Sequence, residues 1–204
     1  MGLSGNYQIW LLLMGFISLS SCKQGEPATT NLYEQNSFKN GQLQSIISTT
    51  AGSLIKNTYQ IKDKRFLPDT SFLKQGKIKY LALPFSIGFI PSTQIELGKS
   101  NRPLEVLLVN TDAKQAQTVG VKLLALLKVA TQDTITYKLV GIDSGKSQAW
   151  SPFENFEELA ANHPDIIKTI NRYFEDYRLG PYQKVLSWQD EQAALKFVKA
   201  HQVN

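Results

Sequence analysis

Few side chains of this chain could do chemistry, and most of those are cations. The sequence has 22 Lys and Arg, 17 Asp and Glu, only two His, and a single Cys at Cys22. So few soft ligands exclude a zinc site or a Cys–His nucleophile pair. The candidates that remain are one acid, Glu105, and the cations Lys138 and Arg178. Ammonium and guanidinium groups bind phosphate oxygens, so these residues favour an anionic ligand.

Three segments place these side chains in one frame: Gly88-Phe89-Ile90-Pro91-Ser92-Thr93, Pro103-Leu104-Glu105-Val106-Leu107-Leu108-Val109 and Tyr173-Phe174-Glu175-Asp176-Tyr177-Arg178. In order and spacing they resemble the soluble family I inorganic pyrophosphatases. The resemblance runs from about Gly52 to about Ala200. It implies hydrolysis of diphosphate with several Mg²⁺ ions held by a ring of Asp and Glu side chains. It also implies an α+β fold, a small twisted five-stranded OB-like barrel with two flanking C-terminal helices.

At most of the positions where the family has metal-binding carboxylates, this chain has other residue types. A D-x-D-P-x-D segment of the family supplies three carboxylates, and the match leaves Glu105 at the third position. Ser100 and Arg102 then stand at the first two. Another pair of family Asp residues falls on Thr131 and Thr136. Glu105 is therefore the only carboxylate of this metal set that the resemblance retains.

This chain retains more of the family's phosphate-binding side chains than of its metal-binding ones. Lys138 matches a family Lys that contacts phosphate, and Tyr177-Arg178 matches a Tyr-Lys pair. Each residue also has a structural alternative. Lys138 suits a solvated strand, Glu105 an exposed surface, Tyr177 a helix core, and Arg178 a helix C-terminus.

The replaced carboxylates bear directly on catalysis. Magnesium is held in proteins by carboxylates and substrate oxygens, which Thr and Ser hydroxyls replace poorly. Arg102 adds a fixed positive charge, and at about 4 Å a unit charge pair is worth about 4 kcal/mol. A family Glu also aligns near Thr49, and a family Lys and Glu near Thr58 and Gln60. We expect lost or strongly reduced catalysis without a metal cofactor, with Mg²⁺ as the cofactor if the chain is active.

The N-terminus predicts export and lipidation. An apolar run at 9–17 is too short for a comfortable membrane span, and it is followed by Leu19-Ser20-Ser21-Cys22. This ending resembles a bacterial lipobox. A plain secretory signal or an uncleaved anchor is the alternative. The prediction is a lipid-anchored protein of the bacterial cell envelope, with a signal peptide at 1–21, lipidation at Cys22, a flexible tether at 22–42 and a domain at 43–204.

The hydrophobic pattern predicts strands first and helices last, which indicates the α+β class. The segment Val119–Ala130 fits either a helix or a long strand. The expected strands are Ser45–Ser48, Leu54–Ile61, Ile78–Leu83, Leu104–Asn110, Thr134–Ile142 and Val185–Trp188. The expected helices are Phe156–Ala161, a helix from Pro164 to Tyr177, and Gln189–Gln202.

Three functions fit these observations. The first is a degenerate, lipid-anchored domain that binds a phosphate-containing anion or a protein partner. The second is a working phosphohydrolase that draws replacement ligands from Asp63, Asp69, Asp112, Asp133 or Asp143. The third is an envelope structural protein. The net charge of +5 is spread along the chain without a dense Lys/Arg run, so nucleic acid is not an expected partner.

Overall fold

The computed structural model describes residues 31–69, 82–97, 100–131, 134–145, 153–177 and 183–203, with the backbone alone at 97, 100, 176 and 177. The predictions for 1–21, Cys22 and Arg178 lie outside these residues. Asn31–Asn204 form one compact unit. Within the described residues, no helix is long and apolar enough to cross a membrane.

The described chain forms nine strands and three helices. The strands are β1 Phe38–Lys39, β2 Gln42–Thr49, β3 Asn57–Gln60, β4 Arg65–Pro68, β5 Ser86–Leu97, β6 Ser100–Leu108, β7 Thr118–Ala130, β8 Ile135–Asp143 and β9 Lys184–Gln189. Strands β2, β5, β6, β8 and β7 pair in that order, and β2 also pairs with β7, so these five strands close a barrel. Strand β1 pairs with β2, β9 pairs with β7, and β3 and β4 form a separate hairpin.

The helices follow the barrel, as the sequence predicts. Helix α1 spans Phe156–Asn162, α2 spans Pro164–Arg172 and α3 spans Glu191–Ala200. His163 separates α1 from α2, and Pro164 is the first residue of α2. Asp190 caps α3 by accepting a hydrogen bond from the backbone N–H of Ala193 at 2.9 Å. The confirmed fold is thus a closed five-stranded barrel with C-terminal helices.

Strand β7 settles the ambiguous segment because both of its faces are buried. Val121 and Leu126 belong to a core that receives side chains from all five barrel strands and from α3, which is the barrel interior. Leu127 and Val129 belong to a second core, which contains Ile170 of α2. A strand buried on both faces reads as a continuous apolar run rather than as an alternating one.

Strand β5 was not predicted from the sequence because it contains residues that usually end strands. Its register against β6 shifts between Ile90 and Ile95, and Ser92 has φ of 47°. The Thr93 hydroxyl donates to the Ile90 carbonyl at 2.6 Å and accepts from the Leu104 N–H at 3.1 Å. This hydroxyl satisfies backbone groups at the irregularity, so the strand continues through it.

Other boundaries also differ from the prediction. Strand β4 was not predicted, and β3 is shorter than the expected Leu54–Ile61. Most of the predicted strand Ile78–Leu83 lies outside the described residues. Its last residue, Leu83, is buried outside any strand, where its backbone exchanges hydrogen bonds with Gly52 and Ser53 at 2.9 and 3.0 Å.

Part of the segment predicted as a tether has defined structure. Leu32–Glu34 form a single 3-10 turn, and β1 pairs with β2. Ser37 is buried and its hydroxyl donates to the Pro91 carbonyl at 2.8 Å. The described residues ahead of β2 are therefore hydrogen-bonded to the irregular part of β5.

Candidate functional site

The pairing of β6 with β8 brings the first two site residues together. These strands are parallel, with Val106 beside Leu139, and both of these side chains face the barrel interior. Successive strand residues alternate between faces, so Glu105 and Lys138 are neighbours on the other face. The Lys138 ammonium lies 3.2 Å from Glu105 Oε1. The sequence predicted both residues for the site, and the topology explains why they meet.

A second ammonium reaches the same carboxylate. The side chain of Lys56, which immediately precedes β3, forms an ion pair with Glu105 Oε2. Each oxygen of Glu105 therefore has its own lysine partner. All three side chains are largely buried, with exposed fractions of 16% for Lys56, 20% for Glu105 and 13% for Lys138.

Lys56 is fixed by the backbone around it. The Thr49 hydroxyl accepts from the Asn57 N–H at 2.7 Å and donates to the Asn57 carbonyl at 3.1 Å. The Lys56 carbonyl accepts from the Asp69 N–H at 2.7 Å, which extends the β3–β4 hairpin. Thr49, where a family Glu aligns, is thus a positioning residue for the segment that carries Lys56.

The sequence interpretation missed Lys56. It had assigned Thr58 to the neighbourhood of a family Lys, and Lys56 lies two residues earlier. Strand residues two apart share a face, so a Lys at that spacing was the available signal.

The charges around Glu105 decide its protonation state. Burial alone would raise the pKa of the Glu105 carboxyl. The ammonium groups of Lys138 and Lys56 oppose this effect and hold that pKa well below its usual range. Glu105 is therefore an ionised carboxylate whose charge is compensated by two lysines.

Lys56, Glu105 and Lys138, together called the charged triad below, line a cavity of about 210 Å³. Among the described residues, three cationic side chains line it, those of Lys56, Arg102 and Lys138. Two carboxylates, of Glu105 and Asp69, also line it, so the titratable groups give a net charge of +1. The walls include aromatic rings: Tyr59, Phe89, Tyr137 and Phe174. The net positive charge of these groups makes the cavity more favourable for a small anion than for a cation.

The two threonines at family acid positions have structural hydrogen bonds. Thr131 and Thr136 both line the cavity. The Thr131 hydroxyl donates to the Thr134 carbonyl at 3.0 Å, and the Thr136 hydroxyl donates to the Val129 carbonyl at 3.5 Å. Both contacts lie within the β7–β8 hairpin, so these hydroxyls support the turn.

The structure describes the remaining predicted residues only in part. Arg102 is exposed at the cavity mouth on β6. The backbone of Ser100 starts β6, and that of Tyr177 ends a π-type turn at Tyr173–Tyr177. The side chains of Ser100 and Tyr177 lie outside the described part of the structure.

The replacement acids considered above do not assemble. Asp69 lines the cavity, whereas Asp63, Asp112 and Asp143 do not. Asp133 lies outside the described residues. Among the residues that the structure describes, no group of three His, Cys, Asp or Glu side chains could hold a metal ion.

The described donor set does not fit Mg²⁺. Magnesium requires hard oxygen donors in near-octahedral geometry. Both Glu105 oxygens already contact ammonium groups, so a divalent ion there would have to share them with Lys56 and Lys138 against the repulsion of both positive charges. At about 4 Å and an effective dielectric near 20, each ammonium would repel a divalent ion by about 8 kcal/mol.

The comparisons with known proteins all point to one family. The family model for inorganic pyrophosphatase matches residues 45–204. A curated relative, soluble inorganic pyrophosphatase 3 of Arabidopsis thaliana, is 25% identical over 143 residues. That match covers 69% of this chain and 60% of the relative's length.

Solved structures share the fold. The inorganic pyrophosphatase of Thermus thermophilus superposes with a TM-score of 0.69 at 23% identity, covering 84% of this chain and 96% of that one. An inorganic pyrophosphatase of Neisseria gonorrhoeae gives 0.64 at 23% identity, covering 79% and 89%. The chain has the OB-like barrel of these enzymes. It belongs to the inorganic pyrophosphatase family.

Proposed function

We propose that this chain is a non-catalytic member of the inorganic pyrophosphatase family that binds a phosphate-type anion. The observation that carries the proposal is the Lys56–Glu105–Lys138 triad. The single acid matched to a family metal position is neutralised by two lysines from separate parts of the chain. A carboxylate in this state compensates the two buried lysines, and it is a poor ligand for a cluster of Mg²⁺ ions.

The anion-binding part of the proposal rests on the cavity. Lys56, Lys138 and Arg102 line it together, and ammonium and guanidinium groups make strong, charge-assisted hydrogen bonds to phosphate oxygens. Tyr177 and Arg178 remain candidates for the same ligand from the sequence match. A protein partner that presents a phosphate group would be bound by the same chemistry.

Attachment to the bacterial cell envelope through Cys22 remains part of the proposal. It is supported by the export-type N-terminus and the lipobox-like Leu19–Cys22. Growth with labelled palmitate would test it. Label incorporated by the wild-type chain and lost in Cys22→Ala is the expected result, and equal labelling of both chains would contradict it.

The test of lost catalysis is phosphate release from diphosphate by the purified full-length chain, with Mg²⁺, Mn²⁺ or Zn²⁺. We expect no release above the protein-free rate with any metal. Metal-dependent release that is abolished in Glu105→Gln and kept in Glu154→Gln would overturn the proposal. Glu154 is a matched control because it lies in an exposed ion pair with Lys122, outside the cavity.

The alternative function is an active, Mg²⁺-dependent diphosphatase. Asp69 favours it, since this second carboxylate lines the cavity that holds Glu105. Activity would require Glu105 to bind the metal ion beside Lys56 or after Lys56 moves away. The same release assay decides between the two functions.

A further inference from the structure

The Lys56 ammonium is paired with Glu105, the acid matched to a family metal position. It contacts Oε2 directly, and Lys138 contacts Oε1, so the carboxylate is already neutralised without a metal. A family site that needs bound cations to attract an anion could here take its positive charge from the chain itself.

We propose that Lys56 is an internal replacement for the metal ion, so that the cavity binds phosphate without any divalent cation. This inference rests on the proposed anion-binding function and deepens it. The ligand class is a small oxyanion bearing a phosphate group. Glu105 then opposes the ligand, because its negative charge competes with the anion for the two ammonium groups.

Three observations support a built-in cation. Lys56 and Lys138 are mostly buried and come from different strands or loops, so the fold brings two like charges together around one carboxylate. Thr49 holds the backbone next to Lys56 through two hydrogen bonds. Arg102 lines the same cavity, so the cationic side chains outnumber the carboxylates among the described lining residues.

The proposal reverses the usual role of the acid. A metal-ligating carboxylate is required for anion binding, so its loss weakens the complex. A carboxylate that only compensates lysines has the opposite effect, because removing it frees positive charge for the ligand. Glu105→Gln therefore distinguishes the two roles, because it lowers phosphate affinity in the first case and raises it in the second.

The experiment is calorimetric titration of the full-length chain with inorganic phosphate, in EDTA and again in Mg²⁺. Sodium chloride at matched ionic strength controls for general screening. We expect binding in EDTA, with no gain on adding Mg²⁺. Phosphate binding that appears only with Mg²⁺ would overturn the inference, as would no binding under either condition.

Three variants sharpen the test. We expect Lys56→Met to weaken phosphate binding by about tenfold, the equivalent of about 1.4 kcal/mol. We expect Glu105→Gln to strengthen it by a similar factor, on the order of tenfold. Lys122→Met, which removes a lysine from an exposed ion pair outside the cavity, should leave it unchanged.

The outcomes also separate this inference from the proposed function. A chain that hydrolyses diphosphate with Mg²⁺ contradicts the non-catalytic function. A chain that does not hydrolyse diphosphate but needs Mg²⁺ to bind phosphate contradicts the inference alone. Weaker phosphate binding in Glu105→Gln, with a fold that thermal melting shows to be intact, also overturns the inference.

Discussion

Two carboxylates on the paired strands β6 and β8 are held in different ways. Glu105 lies beside Lys138 and takes both of its partners from charged lysines. Asp143 ends β8, five residues beyond Lys138, and is 8% exposed. Its oxygens accept from neutral donors, the Thr111 hydroxyl at 2.8 Å and the Gly145 N–H at 2.9 Å.

The difference separates a structural acid from a candidate functional one. Asp143 ties the end of β8 to its own turn and to the chain that follows β6, so its hydrogen bonds are used by the fold. The partners of Glu105 are cations, and their charge can be shared with an incoming anion. Burial alone would not distinguish the two residues, whereas the type of donor does.

The largest expected effect is on stability at Asp143. Asp143→Ala removes the acceptor for Thr111 and for the Gly145 N–H, and it should lower the free energy of unfolding by about 3 kcal/mol. Urea denaturation measures this loss. Phosphate binding should stay at the wild-type value, because Asp143 does not line the cavity.

Asp143→Asn is the matched control, since it keeps one side-chain oxygen as an acceptor and should lose less stability. A change in phosphate affinity without a loss of stability in Asp143→Ala would break the comparison, because it would give Asp143 a part in the site.

The next largest effect is on the pH dependence of stability. The pKa of Glu105 is lowered in the folded chain, so the unfolded chain binds its proton first as the pH falls. The stabilisation from Glu105 is thus fully present above about pH 5 and is lost progressively below it. Among the described residues that line the cavity, the other charged ones are Lys56, Lys138, Arg102 and Asp69.

Glu105→Gln removes this titration. Between pH 7 and pH 3, the wild-type chain should lose about 2 kcal/mol more of its unfolding free energy than the variant. Urea denaturation at each pH measures the difference. Equal slopes for the two chains would mean that the Glu105 pKa is not lowered by its lysine partners.

Much of the fold was predictable because the hydrophobic pattern carries it. The strands around Leu104 and Thr136, the Pro164 helix start and the final helix follow directly from periodicity and caps. Strand β5 was hidden, because its irregular stretch at Pro91–Thr93 reads locally as a turn. The Thr93 hydroxyl satisfies backbone groups in this stretch, and one of its two hydrogen bonds comes from Leu104 on the neighbouring strand β6.

The site was only partly predictable. Glu105 and Lys138 were found through the family resemblance, and their contact follows from the parallel pairing of β6 and β8. Lys56 reaches Glu105 from a position 49 residues away, a contact that no local pattern contains. The threonines at the acid positions remain the basis of a prediction about metal binding, and their hydrogen bonds within the hairpin could be seen only in the structure.

A smaller effect is expected at Thr49, which, like Asp143, makes hydrogen bonds to neutral groups but lies next to the site. Thr49→Val keeps the shape and removes two hydrogen bonds to Asn57, so it should cost about 1 kcal/mol of unfolding free energy. Phosphate affinity should fall as well, because Lys56 is next to Asn57. Thr49→Ser keeps the hydroxyl and should restore both quantities. An unchanged affinity in a destabilised Thr49→Val would limit Thr49 to the fold.

The smallest effect is expected where an ion pair is exposed. Lys122 lies 3.5 Å from Glu154, with exposed fractions of 41% and 61%. Water and salt screen such a pair, so Lys122→Met should change the unfolding free energy by less than about 0.5 kcal/mol. Lys56→Met, which removes a mostly buried partner of Glu105, should cost about 1–2 kcal/mol in the same urea denaturation measurement. Equal losses in the two variants would show that burial of the Lys56–Glu105 pair adds nothing to stability. Lys56 would then be no different from a surface lysine in its effect on the fold.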